Sequence, residues 1–288
     1  MLSVVIPAYN EENAIVDTIT SVRDILEQEK IQPYEIIIVN DGSTDNTAER
    51  AASQSDVIVL NHPHNVGYGR SLKDGINRAR YETVVITDAD RTYPFEALGT
   101  LLNRYRQGFD MVVGARQGKF YRESFIKSPL RKILKFLVEF TTGRKIPDIN
   151  SGFRVFHRDT IQPYFSHLCD TFSFTTSVTL AYMMTGKFVA YEPIDYHKRD
   201  GKTKVKLFRD ALRTLQYILQ AINYYNPIKL FMLFSALCIV FSVLGFLGSA
   251  VLGLHSGFLL GIGGLLVSLI VMCFGLIADL LRQIMGKA

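Results

Sequence analysis

Two periodicities alternate along the first half of the chain. Short apolar runs at 3–6, 35–39, 57–60, 83–87 and 111–114 are bounded by polar or glycine-containing segments, which predicts five buried strands. Pro7 is expected to close the first. Between them the apolar spacing lengthens. Ile15, Ile19, Val22, Ile25 and Leu26 share one stripe, predicting a helix over 12–27. Residues 67–79 and 94–106 predict two more. Ser43 or Thr44 can cap a helix after the second strand, with Asp45 in its first turn. Strands alternating with helices imply parallel βαβ units that bind ligands at the carboxyl ends of the strands.

The pattern then changes. Residues 117–129 are polar and basic and predict a loop. Leu130, Ile133, Leu134, Leu137 and Val138 share a face, with Arg131, Lys132 and Lys135 off it, predicting a basic amphipathic helix over about 129–141. A second such helix is expected over 205–225. Its stripe is Phe208, Ala211, Leu212, Leu215, Ile218, Leu219 and Ile222, and Lys204, Lys206, Arg209 and Arg213 lie off it. Both are expected at a membrane interface. The alternative is that they are surface helices packed on the soluble part. Residues 230–254 carry no charge, and neither do 258–278. Each stretch can cross a bilayer, with the second helix ending near 280 and His255-Ser256-Gly257 as a tight link. Cations before the first helix, and Arg282 and Lys287 after the second, predict that both termini are cytoplasmic. The expected organisation is a catalytic domain over 1–204, an interface helix over 205–225 and a transmembrane hairpin over 229–282. The apolar run at 2–6 is too short for a signal peptide.

Composition sharpens this. Of the 288 residues, 48% are hydrophobic, and that weight is concentrated after Lys229. The net charge of +5 fits a bilayer flank or an affinity for phosphates. Nucleic-acid binding is not expected, because the cations cluster near the apolar segments and no nucleic-acid module is present. Cys169, Cys238 and Cys273 form no CxxC pair, which argues against a disulfide framework or a zinc site. His62, His64, His157, His167 and His197 show no ligand spacing. Gly67-x-Gly69 lacks the third glycine of a dinucleotide fingerprint, since Leu72 stands there.

The chemistry is expected at the strand ends. Asp88 and Asp90 flank Ala89 where the fourth strand stops. Two carboxylates so placed can share one hard cation, and such a cation neutralises the charge of a departing diphosphate. Asp41, at the end of the second strand, is placed to bond a base or ribose edge, and Gly42 permits close backbone approach.

Pro7-Ala8-Tyr9-Asn10-Glu11-Glu12, Asn40-Asp41-Gly42-Ser43-Thr44-Asp45 and Asp88-Ala89-Asp90, in this order and spacing, resemble the family 2 glycosyltransferases of GT-A fold. Asn65-Val66-Gly67-Tyr68-Gly69, Val112-Val113-Gly114-Ala115-Arg116, Asn150-Ser151-Gly152-Phe153-Arg154 and Arg199-Asp200-Gly201-Lys202-Thr203-Lys204 extend the likeness. With the apolar C-terminal segments, the set is similar to the polyprenyl-phosphate branch of dolichyl-phosphate mannose synthases and undecaprenyl-phosphate glucosyltransferases. The resemblance implies an α/β, mostly parallel Rossmann-like sheet. It also implies inverting transfer of a hexose from a nucleotide sugar to a polyprenyl phosphate, dolichyl or undecaprenyl.

By the same resemblance, Pro7, Tyr9, Asn10, Glu11 and Asp41 would contact the nucleotide. Asp88, Ala89 and Asp90 would meet the donor diphosphate, the two acids holding Mg2+ or Mn2+. Arg116 and Arg131 would bind the lipid phosphate, and Arg199 and Lys204 would face the phosphates. Asp88, Asp90 and Arg199 form the catalytic set. Arg91-Thr92 stands where mannose synthases often carry Leu-Gln, and 172–177 lacks a common acid. Side chains around Arg91, Thr92 and 172–177 are expected to choose the sugar, and these departures lean the reading towards a UDP-hexose over GDP-mannose. A homo-oligomer stays open. The alternatives are transfer to a glycan hydroxyl, or a non-catalytic membrane scaffold. A processive synthase would carry Gln-x-x-Arg-Trp, and the chain has no Trp.

Overall fold

The computed structural model of the chain describes residues 1–118, 128–197 and 207–285, and at 128–134, 207–211, 213, 214 and 285 the backbone alone. The chain divides into two compact units, Met1–Ile218 and Leu219–Ala288.

The first unit is built on β1 (Leu2–Ala8), β2 (Tyr34–Asn40), β3 (Val57–Asn61), β4 (Thr83–Ile86), β5 (Met111–Gln117), β6 (Arg154–His157) and β7 (Val189–Asp195). They form one sheet in the order β3-β2-β1-β4-β6-β5-β7. β6 runs antiparallel to both neighbours, and all other pairs are parallel. The helices are α1 (Ile15–Gln28), α2 (Thr47–Ala52), α3 (Tyr68–Arg78), α4 (Leu98–Tyr105), α5 (Ser128–Thr142), α6 (Arg158–Ile161), α7 (Phe174–Met184) and α8 (Leu207–Tyr225). α8 runs on into the second unit. The stripe of α1 packs as the sequence indicates: Ile15, Ile19, Val22 and Leu26 join Val4, Ile6, Val85 and Val112 in one buried cluster.

Several expectations need correction. Pro7 does not close β1, which continues to Ala8 with Pro7 opposite Val39. β4 pairs with β1 only as far as Val5, so the missing Pro N–H falls where that neighbour has ended. α1 starts at Ile15, not at residue 12. Glu11 O accepts from the amides of Ala14 and Ile15, and the amides of Glu11 and Glu12 are committed elsewhere. The helix after β2 starts at Thr47, and neither Ser43 nor Thr44 caps it: Ser43 accepts from Asn10 N in the β1 loop, and Asp45, ahead of the helix rather than in its first turn, accepts from Glu12 N and from Thr47 N at 3.1 Å. Among the elements not foreseen, three are instructive. β6 opens on a charge and closes on His157. β7 carries Glu192-Pro193, tolerated because β7 is the sheet edge. α7 is buried from Phe174 through Met183, so it shows no stripe.

In the second unit, α9 (Pro227–Leu252) and α10 (His255–Met285) form an antiparallel hairpin. The apolar spans of 26 and 30 residues are long enough to cross a membrane. The link is not at 255–257. Gly253 adopts the left-handed conformation at φ 65°, and His255 already begins α10. Small residues let the helices touch. A Cβ on Gly245 would sit 2.9 Å from Gly257 O and from Gly261 N. Ser235 and Ser268 hydroxyls meet at 2.8 Å, and Ser242 donates to Gly261 O. Leu244, Val251, Leu259 and Leu269 are exposed on the outward faces.

Candidate active site

The carboxyl ends of β1 and β2 are strapped to each other. The amide of Asn10 donates to Ser43 Oγ at 3.0 Å, and Asn10 Oδ1 accepts from Thr44 N at 2.8 Å. The amide of Glu11 donates to Thr47 Oγ1 at 2.8 Å. Asn10 holds φ 51°, a left-handed conformation that Asn tolerates. The strap presents Tyr9, Asn10 and Glu11, all half-buried, beside the β2 loop. Pro7 lies inside the sheet.

Asp41 is almost fully buried, and its carboxylate organises the next loop. Oδ1 accepts from Val66 N at 2.9 Å and faces His62 Nδ1 at 3.0 Å, while Oδ2 accepts from Gly67 N at 2.9 Å. His62 Nε2 is 3.2 Å from Asp74 Oδ2. The histidine with no ligand spacing is therefore a bridge between two acids. Gly42 is required here: a Cβ would lie 2.4 Å from the backbone of His64, and φ is 66°. An open depression of about 370 Å3 is lined by His62, Pro63, Val66, Arg70, Asp74 and Asp170. It includes none of Asp88, Asp90 and Arg116.

Asp88 and Asp90 stand just beyond β4, with Ala89 between them anchored by Thr18 Oγ1 donating to its carbonyl at 3.0 Å. Asp88 Oδ1 accepts from Tyr68 Oη at 2.8 Å. Asp90 is 6% exposed, and its Oδ1 accepts from Thr92 Oγ1 at 2.6 Å and Thr92 N at 3.2 Å. Thr92 O in turn accepts from His197 N at 2.9 Å, tying the turn to the segment after β7. Gly152 packs against the pair: a Cβ there would be 2.7 Å from Asp88 Oδ1. Arg91, expected to help choose the sugar, takes φ 60°, and its guanidinium pairs with Asp17 on α1 at 2.7 Å. Its neighbour Thr92 faces Asp90. Among the described residues, no three His, Cys, Asp or Glu side chains gather into a metal cluster.

Arg116, at the end of β5, lies near the same edge. Its Nε and Nη2 donate to the two oxygens of Asp148 at 2.7 and 3.0 Å, and its guanidinium covers the Tyr196 ring at 5.3 Å. Burial pushes the Asp148 carboxyl up, but the Arg116 hydrogen bonds and charge outweigh it and hold the group below its usual range. Arg154 is fully buried on β6. It donates to Ser151 O, Ile149 O and Thr179 Oγ1 at 2.7, 2.9 and 2.8 Å, which fixes the loop that carries Gly152. Burial lowers its pKa, and Asp148 is among the groups opposing that. Arg199 and Lys204 lie outside the described residues, and Arg131 is described by its backbone in α5 alone.

Sequence reasoning missed Tyr68, Asp148 and His62 as parts of this constellation, and it named Thr92 for the sugar without its bond to Asp90. Tyr68 carried a signal, since it sits inside the glycine-rich segment, but a tyrosine at a helix start does not reveal which acid it meets. Asp148 pairs with a cation 32 residues away, and that contact exists only once β6 inserts between β4 and β5.

Residues 3–165 match glycosyl transferase family 2. The chain is 33% identical over 289 residues to the low-salt glycan biosynthesis hexosyltransferase Agl6 of Haloferax volcanii, covering 93% of this chain and 65% of that protein. It is 32% identical over 182 residues to dolichyl-phosphate beta-glucosyltransferase ALG5D of Trichomonas vaginalis, covering 57% and 55%. It is 31% identical over 166 residues to the undecaprenyl-phosphate 4-deoxy-4-formamido-L-arabinose transferase of Serratia proteamaculans, covering 56% and 50%. The chain thus spans between half and two thirds of the length of these relatives. Glucosyl-3-phosphoglycerate synthase from Mycobacterium tuberculosis, solved with Mn2+, UDP and glucosyl-3-phosphoglycerate, aligns at TM-score 0.62 and 18% identity over 77% of this chain and 79% of its own. That likeness shows the shared GT-A-like fold. The seven strands with one reversed, the acids at their ends and the match over 3–165 lead to one conclusion: the chain belongs to glycosyl transferase family 2.

Proposed function

We propose that the chain transfers a hexose from a nucleoside-diphosphate sugar to the phosphate of a polyprenyl phosphate at the cytoplasmic face of a membrane. The observation that carries this is the placement of Asp88 and Asp90 at the end of β4, in a chain that also holds two apolar helices of membrane-crossing length. The relatives named for dolichyl-phosphate and undecaprenyl-phosphate acceptors support it.

In this reading Tyr9, Asn10, Glu11 and Asp41, with Pro7 behind them, hold the nucleoside. Asp88, Ala89 and Asp90 meet the diphosphate. Carboxylate oxygens at a strand end suit a hard divalent cation, so Asp88 and Asp90 would hold Mg2+ or Mn2+. Such an ion supplies charge neutralisation to the leaving group. Arg116 and Arg131 hold the acceptor phosphate, to which a guanidinium charge is suited. Arg199 and Lys204 face the phosphates from the 199–204 segment.

A phosphate oxygen attacks the anomeric carbon as the bond from that carbon to the diphosphate oxygen breaks, and the configuration inverts. The acceptor needs no general base, because a phosphomonoester has a second pKa of about 6 and is already largely dianionic. The chain's task is therefore orientation and electrostatics. Residues 1–204 form the catalytic part, 205–225 an interface helix, and 229–282 an anchor with both termini cytoplasmic. UDP-hexose is the favoured donor.

The test is nucleoside-diphosphate release by the detergent-solubilised chain from UDP- and GDP-hexoses, with and without polyprenyl phosphate. Release that requires the lipid supports the proposal. Release driven equally by a glycan acceptor replaces it with hydroxyl transfer.

A further inference from the structure

Tyr68 has no part in the reaction as described, yet it connects the two halves of the donor site. It is the first residue of α3, and the two amides before it, of Val66 and Gly67, are held by Asp41. Its own hydroxyl donates to Asp88 Oδ1 at 2.8 Å. The segment 66–68 thus spans from the acid assigned to the nucleoside to an acid assigned to the diphosphate.

That segment is seated firmly. A Cβ on Gly67 would lie 2.5 Å from Asp170 O, and one on Gly69 2.2 Å from Cys169 O, so the start of α3 lies flush on the 169–170 backbone. Lys73 Nζ clamps the same segment from one turn on, donating to the Leu168 carbonyl at 2.6 Å and to the Asp170 side chain at 2.7 Å. Phe172 stacks on the Tyr68 ring, with centroids 6.0 Å apart and planes 16° apart. On the far side, a Cβ at Gly152 would touch both Asp88 Oδ1 and Tyr68 Oη, at 2.7 and 2.8 Å. The phenol has one place to be, and the carboxylate oxygen it holds has one as well.

We infer that Tyr68 is a positioning residue that fixes the orientation of the Asp88 carboxylate towards the donor diphosphate and its cation. This rests on the donor-site reading of Asp88 given above.

The test uses Tyr68→Phe, which keeps the ring and its stack and removes one oxygen. UDP and GDP are titrated by calorimetry into the full chain in detergent, with Mn2+ and with chelator, for wild type, Tyr68→Phe and Asp88→Asn. For the nucleotide the wild type binds more tightly, Tyr68→Phe is expected to lose about tenfold of the Mn2+-dependent gain in affinity, the scale of one charge-assisted hydrogen bond. Its chelated affinity stays at the wild-type value, and with Mn2+ its donor kcat/KM falls, including the rise in donor KM that the lost affinity requires. A Tyr68→Phe chain with the full Mn2+-dependent gain, while Asp88→Asn loses it, overturns the positioning role alone. An Asp88→Asn chain that keeps the gain overturns the donor-site reading, and this inference with it.

Discussion

Gly152 shows how little room the site leaves around single atoms. A Cβ there would lie 2.7 Å from Asp88 Oδ1 and 2.8 Å from Tyr68 Oη, so Gly152→Ala must displace both. The expected outcome is a fall in turnover of at least about tenfold with near-normal folding, since small misplacements of reacting groups are costly. Steady-state kinetics beside thermal melting checks it. Asp148 is the second such residue. Removing its charge leaves Arg116 facing a neutral amide, and Asp148→Asn is expected to cost about 3 kcal/mol at neutral pH. The sign with pH follows from its depressed folded-state pKa. The carboxylate's contribution is complete above the unfolded value of about 3.9 and is lost as pH falls through the lower folded value. The melting gap between wild type and Asp148→Asn should therefore narrow only in acid below about pH 4. A gap that narrowed between pH 8 and 6 would contradict the assignment. At this scale the acids were legible in the sequence because their types and strand-end positions are local. Tyr68, which meets Asp88, and Asp148, which meets Arg116, were less legible, because these contacts join segments 20 and 32 residues apart.

Elements were legible where burial is one-sided or where both faces are uniformly apolar. The stripe of α1 and the runs of β1, β2 and β4 carry their own period. β6 and β7 do not. Arg154 occupies the first position of β6 because its guanidinium finds two carbonyls and a hydroxyl inside the protein, a compensation that no periodicity reports. α7, buried on all sides, reads as an unpatterned stretch for the opposite reason. The apolar hairpin was legible to within two residues of its turn, and the left-handed Gly253 accounts for the shift. Its seam yields a prediction. Gly245→Leu places a side chain against the backbone of Gly257 and Gly261, and is expected to destabilise the hairpin by about 2 kcal/mol. A lower melting temperature in detergent would register it, and Gly248→Leu, where a Cβ meets nothing within 4 Å, serves as the unaffected control.

For the molecule as a whole, two properties have to be taken together: acids at strand ends in one compact unit, and a pair of apolar helices in the other. A net charge of +5, with hydrophobic residues densest after Lys229, suits the proposed pair of anionic substrates, one of them held in a bilayer. Asp90→Asn should bring turnover to background, because Asp90 is the more buried of the two acids and is already aligned by Thr92. The direct measurement is label transfer. Membranes carrying the wild-type or Asp90→Asn chain receive polyprenyl phosphate, a divalent cation and each radiolabelled nucleotide sugar in turn, and label is counted in the organic phase. Label that appears with one donor, needs both lipid and cation, and vanishes with Asp90→Asn is the predicted result. Organic-phase label that persists in the Asp90→Asn chain, or that no donor produces while the wild-type chain glycosylates a water-soluble acceptor, would contradict it.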